Sequence, residues 1–129
     1  MCLKNKTIVI TGATRGIGRA MALKFGKSHA NIVILGKTHI PHKKLEGTIH
    51  SVAKEVTKLG GQALPIHCDL RDVDAFEGIV NKIITTYGSI HALVNNASAL
   101  HLSPMGKTSP KKYDLIQSVL FFRHIFLYR

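Results

Sequence analysis

Three glycines near the N-terminus have a spacing suited to holding a phosphate group. Gly12, Gly16 and Gly18 lie in the segment 11–18, between a β-branched run at residues 7–11 and a helical pattern that begins at Ile17. Glycines permit a tight turn and a close approach of a ligand, and the N–H groups at a helix start attract a pyrophosphate. The flanking strand and helix, and a second strand ending about 20 residues on, are the context that a dinucleotide-binding turn requires. The alternative is a turn whose glycines serve only the packing of the helix on the strand.

The end of the second apolar strand carries positive charge where many dinucleotide sites carry an acid. An acid at this place binds the ribose 2′-hydroxyl, but the chain has Gly36, Lys37 and Thr38 here, with no acid nearby. Lysine attracts a 2′-phosphate, and Arg15 in the glycine turn adds a second positive charge facing the same region. The two side chains favour NADP over NAD. The alternative is that Lys37 points into solvent, as most lysines do.

A repeating strand–helix framework must position these residues. Apolar runs predict four strands, at residues 7–11, 31–35, 63–68 and 90–94. Apolar positions at helical spacing predict four helices, which run from Ile17, from Leu45 to Leu59, from Val73 to Tyr87, and after Ser109-Pro110 through Leu115, Val119, Phe122 and Phe126. The order βαβαβαβα predicts an α/β fold, with a parallel sheet and helices on both faces. Pro65 indicates that the third strand lies at an edge of this sheet.

Composition indicates a single globular domain with a basic surface. The chain has 129 residues, 45% of them apolar, and a net charge of +11, with Glu46 the first acidic residue. Such a charge attracts anions, and nucleic acid, a phosphate-rich cofactor and a solvated basic surface are the three interpretations. No nucleic-acid-binding motif supports the first. No apolar run approaches the ~20 residues needed to cross a bilayer. The tail with Arg123, His124 and Arg129 could lie on a membrane surface, but its helical spacing favours an apolar face that packs on the sheet or a partner, so no membrane association is expected.

Neither the cysteines nor the histidines form a recognisable site. The two cysteines, Cys2 and Cys68, do not make a disulfide framework, which favours a reducing compartment. The eight histidines are scattered; His39 and His42 are three apart, but Pro41 lies between them and no further ligand completes a set, so no metal site is predicted. No targeting signal is recognised, which leaves the cytoplasm as the default compartment.

Three segments together resemble the short-chain dehydrogenase/reductase family. The Thr-Gly-x-x-x-Gly-Ile-Gly pattern of residues 11–18 resembles the family's glycine turn. Asp69, after the third strand, resembles the aspartate that contacts adenine, and residues 95–98 resemble the Asn-Asn-Ala-Gly segment, with Ser98 in place of glycine. The resemblance covers roughly residues 4–119 and implies a Rossmann-type N-terminal half. It also implies which residues bind the cofactor: Gly12, Ala13, Thr14, Arg15, Gly16, Ile17, Gly18, Lys37 and Asp69 in contact with NADP, and Asn95 and Ala97 along the crevice.

The family's catalytic residues have no match in the 129 residues. Leu120 stands where the family has an asparagine, and none of the tyrosines is followed four positions later by a lysine. No serine of the family's catalytic set is recognised either, so we predict no catalytic residue in this chain. We expect a Rossmann half-domain at residues 1–119 and a divergent tail at 120–129 that continues a helix. The divergence suggests a truncated product, and a compartment such as the peroxisome or mitochondrion is implied only by family resemblance.

Two functions remain open from the sequence. The first is the NADP(H)-binding domain of an oxidoreductase that lacks its catalytic residues, with a small carbonyl or hydroxy substrate only in full-length relatives. The second is a non-catalytic nucleotide-binding or interaction fragment that pairs with full-length family members. The fourth strand is expected to be an open sheet edge, through which homo- or hetero-oligomers would form.

Overall fold

The computed structural model describes residues 2–99 and 102–119. Four strands form one parallel sheet in the order β3-β2-β1-β4. The strands are β1 (Thr7–Thr11), β2 (Asn31–Gly36), β3 (Gln62–His67) and β4 (Ala92–Val94). The helices are α1 (Gly16–Lys27), α2 (Ile49–Lys58), α3 (Ala75–Tyr87) and α4 (Pro110–Gln117), with a 3-10 turn at Met105–Lys107. The predicted βαβαβαβα order and the Rossmann-type fold are therefore confirmed.

The centre of the sheet is β1, which pairs with β2 on one side and β4 on the other. Ile8 lies opposite Ile32 in β2 and Ala92 in β4. β3 lies at one edge, and its Pro65 is paired in register with Ile34. The edge position predicted from this proline is confirmed, because an edge strand tolerates a residue without an N–H donor.

Each face of the sheet carries its own hydrophobic core, because successive side chains of a strand point to opposite faces. On one face, α1 and α2 cover a cluster of buried residues that includes Ile8, Ile10, Ile32, Ile34, Ala22, Val52 and Val56. On the other face, α3 covers a cluster that includes Val9, Val33, Leu35, Ile66, Phe76, Ile79 and Ile83. The nearly continuous apolar strands are explained by this burial from both sides.

The second helix begins later than its apolar pattern predicts. Leu45 has the spacing of the helix, but the helix starts at Ile49, and Leu45 is 46% exposed in the preceding loop. Thr48 is the N-cap: its hydroxyl accepts from the N–H of Ser51, and the Ser51 hydroxyl accepts from the N–H of Thr48. This capping box, together with the left-handed backbone of Gly47 (φ 87°), ends the loop before the helix. The prediction of a helix from Leu45 is wrong for that reason.

The remaining bounds differ from the predicted ones by a few residues. α3 starts at Ala75, so Val73 lies outside it, and β4 includes three of the five residues predicted. Ser109 caps α4 and Pro110 occupies its first turn, as predicted. Phe122, Phe126 and the predicted tail at 120–129 lie outside the described residues. Within the described ranges, no helix has the length and hydropathy to cross a membrane.

Candidate functional site

The predicted glycine turn connects β1 to α1. Gly12 and Gly16 have positive φ angles of 67° and 56°, and the N–H of Gly12 donates to the carbonyl of Leu35 at 2.8 Å. Arg15 is the N-cap of α1, and its side chain makes no capping hydrogen bond to the helix. Neither the N-cap side chain nor an acidic residue of the first turn neutralises the positive end of the helix dipole, as expected of an anion-binding helix start.

The three glycines of the turn have different surroundings. A Cβ added to Gly12 would lie 2.8 Å from the Cα of Ala97, and one added to Gly18 would lie 2.5 Å from Nδ2 of Asn96. A Cβ added to Gly16 meets no described atom within 4 Å. Gly12 and Gly18 therefore allow the turn to pack on the segment after β4, whereas Gly16 faces open space above the turn.

Asn96 fastens the segment after β4 to the glycine turn. Its Nδ2 donates to the carbonyls of Thr11 and Gly12, both at 3.1 Å. The backbone N–H groups of Asn96 and Ala97 both donate to the hydroxyl of Thr11 at 3.0 Å, and that side chain is fully buried. Asn95 is exposed instead. Two adjacent asparagines are equivalent in a sequence pattern, so only the structure could show which one points inward.

A cavity of about 700 Å³ lies at the carboxyl ends of the strands, next to the glycine turn. Its described lining residues come from the turn, the ends of β2 and β3, the segment after β4 and α4: Gly12, Thr14, Arg15, Ile17, Leu35, Gly36, Lys37, Thr38, Cys68, Asp69, Leu70, Arg71, Asn96, Ala97, Ser98, Ala99, Leu115 and Val119. This is the edge where ligands bind in open parallel sheets. Seven of the residues predicted to contact or line a cofactor site belong to the lining: Gly12, Thr14, Arg15, Ile17, Lys37, Asp69 and Ala97.

Four predicted site residues do not line this cavity. Ala13 is fully buried in the core under the turn, and Gly18 packs against Asn96. Gly16 faces open space and is not among the described lining residues, and Asn95 is exposed. None of these four residues forms part of the described cavity wall.

Asp69 binds two cationic side chains at the end of β3. Arg71 donates to it from Nη2 at 2.6 Å and from Nε at 3.0 Å, and Lys37 Nζ lies 3.3 Å from Oδ2 of the same carboxylate. The Arg71 hydrogen bond, with Lys37 adding to it, holds the pKa of Asp69 well below its usual range. Arg71 was not among the residues predicted from the sequence to form the site. The sequence indicated this contact only through the spacing of Asp69 and Arg71, which are two residues apart. An arginine at that distance can reach the carboxylate when the chain turns between them.

Arg15 connects the glycine turn to the loop between β2 and α2. Its Nε donates to the carbonyl of Glu46 at 3.2 Å, and its Nη2 donates to the hydroxyl of Thr38 at 3.1 Å. Arg15 also lines the cavity, as do Lys37 and Thr38 at the start of this loop. Arg15, Lys37 and Arg71 bring three positive charges to the described lining, against the one carboxylate of Asp69.

Neither Cys68 nor the histidines near the site form a reactive or metal-binding group among the described residues. Cys68 is buried, and burial raises the pKa of its thiol to about 11, so the thiol stays protonated near neutral pH. The rings of His39 and His67 have centroids 4.3 Å apart. No group of three or more metal-ligating side chains occurs among the described residues.

The residues present fit a dinucleotide. The helix start and the glycines suit a pyrophosphate, the cations suit further phosphate charge, and Leu35 and Leu70 give the cavity an apolar wall. The cavity also falls within the size range of about 300–1,000 Å³ that is usual for small-molecule sites.

Known proteins resemble the chain in sequence over most of its length. The short chain dehydrogenase family matches residues 6–128. Hydroxysteroid dehydrogenase-like protein 2 of Homo sapiens is 50% identical over 113 residues, which are 88% of this chain and 27% of that protein. The protein of the same name from Danio rerio is 47% identical over the same share of each chain. The chain therefore spans little more than a quarter of the length of these curated relatives.

Solved structures resemble the chain in fold. A short chain dehydrogenase from Mycobacterium thermoresistibile superposes with a TM-score of 0.87 at 43% identity, over 91% of this chain and 42% of that one. A metagenomic short-chain oxidoreductase in complex with NADP superposes with a TM-score of 0.85 at 30% identity, over 98% of this chain and 55% of that one.

Proposed function

Because the chain belongs to the short-chain dehydrogenase/reductase family, a family that binds nicotinamide cofactors, we propose that it is an NADP(H)-binding domain. The family match over residues 6–128 confirms the resemblance to this family, and the 50% identity confirms the similarity to hydroxysteroid dehydrogenase-like protein 2 within it. The chain is proposed to prefer NADP(H) to NAD(H), and particular residues of the cavity are proposed to cause this preference. A bound nicotinamide cofactor supplies a hydride; the residues described here hold its phosphates and adenosine half.

The observation that carries the proposal is the charge of the cavity at the ends of β2 and β3. Lys37 and Arg15 line it at the place where an NAD-type site has an acid for the ribose 2′-hydroxyl. Asp69 is the single carboxylate of the described lining, and Lys37 and Arg71 already bind it. A 2′-phosphate therefore meets positive charge here, and a bare 2′-hydroxyl gains little. The complex of a 30% identical oxidoreductase with NADP supports the same choice.

The first prediction is that NADPH binds more tightly than NADH. Titration calorimetry of the chain with each cofactor measures the two affinities. The difference should shrink as salt is raised, because salt screens the contribution of the 2′-phosphate. Lys37→Met should weaken NADPH about tenfold and leave NADH nearly unchanged, because it removes one charge from the phosphate.

The matched control is Lys82→Met, which removes an equal charge from the exposed face of α3, away from the cavity lining. It separates a local effect of Lys37 from an effect of net charge. Equal affinities of the unmodified chain for NADPH and NADH, or tighter binding of NADH, would show the proposal to be wrong.

A second proposal follows from the absent catalytic residues: these 129 residues alone do not reduce carbonyl compounds at a useful rate. In the family, a tyrosine passes a proton to the substrate oxygen, and a lysine lowers the pKa of that tyrosine. Neither has a match in the sequence, and Leu120, at the asparagine position, has no polar group. General acid–base catalysis is typically worth about 10²–10⁴-fold in rate.

The measurement is NADPH consumption by the purified chain with a panel of aldehydes, ketones and quinones, the substrate class expected of full-length relatives. We expect no turnover above the rate of a sample without protein. Turnover that co-purifies with the chain and is lost in Gly16→Val would contradict this, since that variant alters the glycine turn.

A further inference from the structure

The loop between β2 and α2, residues 37–48, is packed tightly on the glycine turn. Gly47 has a φ of 87°, and a Cβ added to it would lie well inside 3.0 Å of the carbonyl oxygen of Thr14. Real Cβ atoms essentially never come that close, and the neighbour here is backbone, which cannot rotate away as a side chain can. Thr14 is itself buried, so the turn has little space in which to retreat.

Arg15 is attached to this loop near both of its ends. It donates to the hydroxyl of Thr38, close to the start of the loop, and to the carbonyl of Glu46, the residue before Gly47. The loop is closed in turn by the N–H of Ile49, which donates to the carbonyl of Thr38 at 2.9 Å. An arginine has five N–H donors, so two hydrogen bonds to the loop leave others for a ligand in the cavity.

We propose that Gly47 is a positioning residue that holds Arg15 in place for the 2′-phosphate of the cofactor, an inference that rests on the proposed NADP(H) binding. Only a residue without a Cβ allows the carbonyl of Glu46 to approach Arg15 while the loop touches Thr14. A side chain at this position pushes the loop away and takes the Glu46 carbonyl with it. Arg15 then regains rotamer freedom that cofactor binding must remove again.

The test compares Gly47→Ala with Gly88→Ala by measuring the affinities for NADPH and NADH. Both glycines have a positive φ, of 87° and 82°, but a Cβ at Gly88 meets no described atom within 4 Å. Gly88→Ala therefore introduces the backbone strain without the contact. We expect Gly47→Ala to lower the ratio of NADPH to NADH affinity about fivefold, and Gly88→Ala to leave it unchanged.

The ratio separates positioning from loss of fold. A partly unfolded population weakens both cofactors by the same factor and leaves their ratio as it was. As a second readout, Gly47→Ala is repeated in an Arg15→Gln background. If Gly47 acts through Arg15, Gly47→Ala does not change the ratio of NADPH to NADH affinity once Arg15 is replaced. If the two substitutions act independently, their effects on the ratio multiply.

If circular dichroism shows that Gly47→Ala does not fold, Thr38→Val decides the question. It keeps the side-chain shape and removes the hydroxyl that accepts from Arg15. Because Thr38 also lines the cavity, the variant is repeated in the Arg15→Gln background. A ratio that falls only when Arg15 is present supports the proposal, and any other result overturns it. A chain that binds neither cofactor would refute the proposed function and this inference together. A chain that prefers NADPH, with the same preference in Gly47→Ala, would refute the inference alone.

Discussion

At the scale of single residues, Asp69 shows how one carboxylate can organise a basic site. Its ion pairs with Lys37 and Arg71 keep two like charges next to each other at the ends of β2 and β3. Without the carboxylate, these cations would repel each other, and long side chains would turn outward into solvent. Asp69 thus stabilises the positive charge that the proposed phosphate site requires.

We predict that Asp69→Asn lowers the melting temperature by about 2 °C at pH 7, because partly exposed ion pairs contribute little to stability. The pKa of Asp69 is depressed in the folded state, so its contribution is complete above its unfolded pKa of about 3.9 and is lost as the pH falls through the lower folded pKa. The difference between the two proteins should therefore be constant from about pH 5 to pH 8 and shrink below about pH 4.

Thermal unfolding at a series of pH values measures this difference. Asp114→Asn, which removes an exposed carboxylate from α4, is the matched control and should show almost no shift. If the difference in melting temperature between wild type and Asp69→Asn grows as the solution is acidified, the prediction is wrong, because a depressed pKa requires that difference to shrink.

Residue types could be predicted from the sequence better than side-chain directions. The sequence placed Arg15 and Lys37 in one region of the predicted site, and the family resemblance added Asp69 as a contact of the same cofactor. It could not distinguish Asn96 from Asn95, since the choice depends on where β4 stops and the chain turns. Arg71 was missed because its contact with Asp69 depends on the local turn after β3, which no periodic pattern encodes.

At the scale of elements, the beginning of α2 shows how a correct helical pattern can still mislead. Leu45 and Ile49 are four residues apart, a spacing that predicts one helix containing both. Gly47 and Thr48 lie between them, and they belong to the loop and the N-cap. The capping box of Thr48 and Ser51 determines the boundary, because an N-cap residue has extended backbone geometry. The centres of β1 and β2 were predicted correctly because these two strands are buried on both faces of the sheet.

Two N-caps provide a test of which helices belong to the cooperative core. Thr48→Ala should lower the melting temperature by about 4 °C, because the lost cap costs about 1 kcal/mol at the start of a helix whose Ile49, Val52 and Val56 are buried. Ser109→Ala removes the equivalent hydrogen bond from α4, which has no buried residue within Pro110–Gln117. It should shift the melting temperature by less than roughly 1 °C, since local fraying does not reduce global stability.

Calorimetry of the two variants measures both shifts. Circular dichroism of Ser109→Ala at low temperature should show a small loss of helical signal without a change in the main transition. Equal shifts in the two variants would mean that α4 unfolds together with the rest of the molecule.

At the scale of the whole molecule, the two central strands of the sheet are paired on both sides, and the two edge strands differ in how well they are protected from further pairing. β3 carries Pro65 at its edge, and a proline is one of the devices that discourage pairing with another chain. β4 is shorter, and within the described residues it pairs with β1 alone. Its free side has no proline or lysine among Ala92–Val94 to discourage a further strand.

We therefore predict concentration-dependent self-association of the chain. Size-exclusion chromatography and sedimentation should show species larger than 14.2 kDa, the mass of one chain, that increase with concentration. The variant is Ala92→Lys, because Ala92 is an exposed residue of β4, whereas Leu93→Pro would disrupt the strand. The lysine should shift the equilibrium toward the monomer. A monomer with a sharp thermal transition at all concentrations would argue against this edge as a contact surface.

The central place of β1 in the sheet has a consequence for the order of events during protein synthesis. β1 leaves the ribosome before β2, β3 and β4, but Ile8 is paired with Ala92, and the N–H of Thr7 donates to Nδ1 of His91, 84 residues later in the chain. At a translation speed of about 5–20 residues per second, β1 waits roughly 4 to 17 s for that partner. During this interval, β2 can protect one side of β1, while the other side stays exposed on the nascent polypeptide to any chaperone that recognises apolar strands.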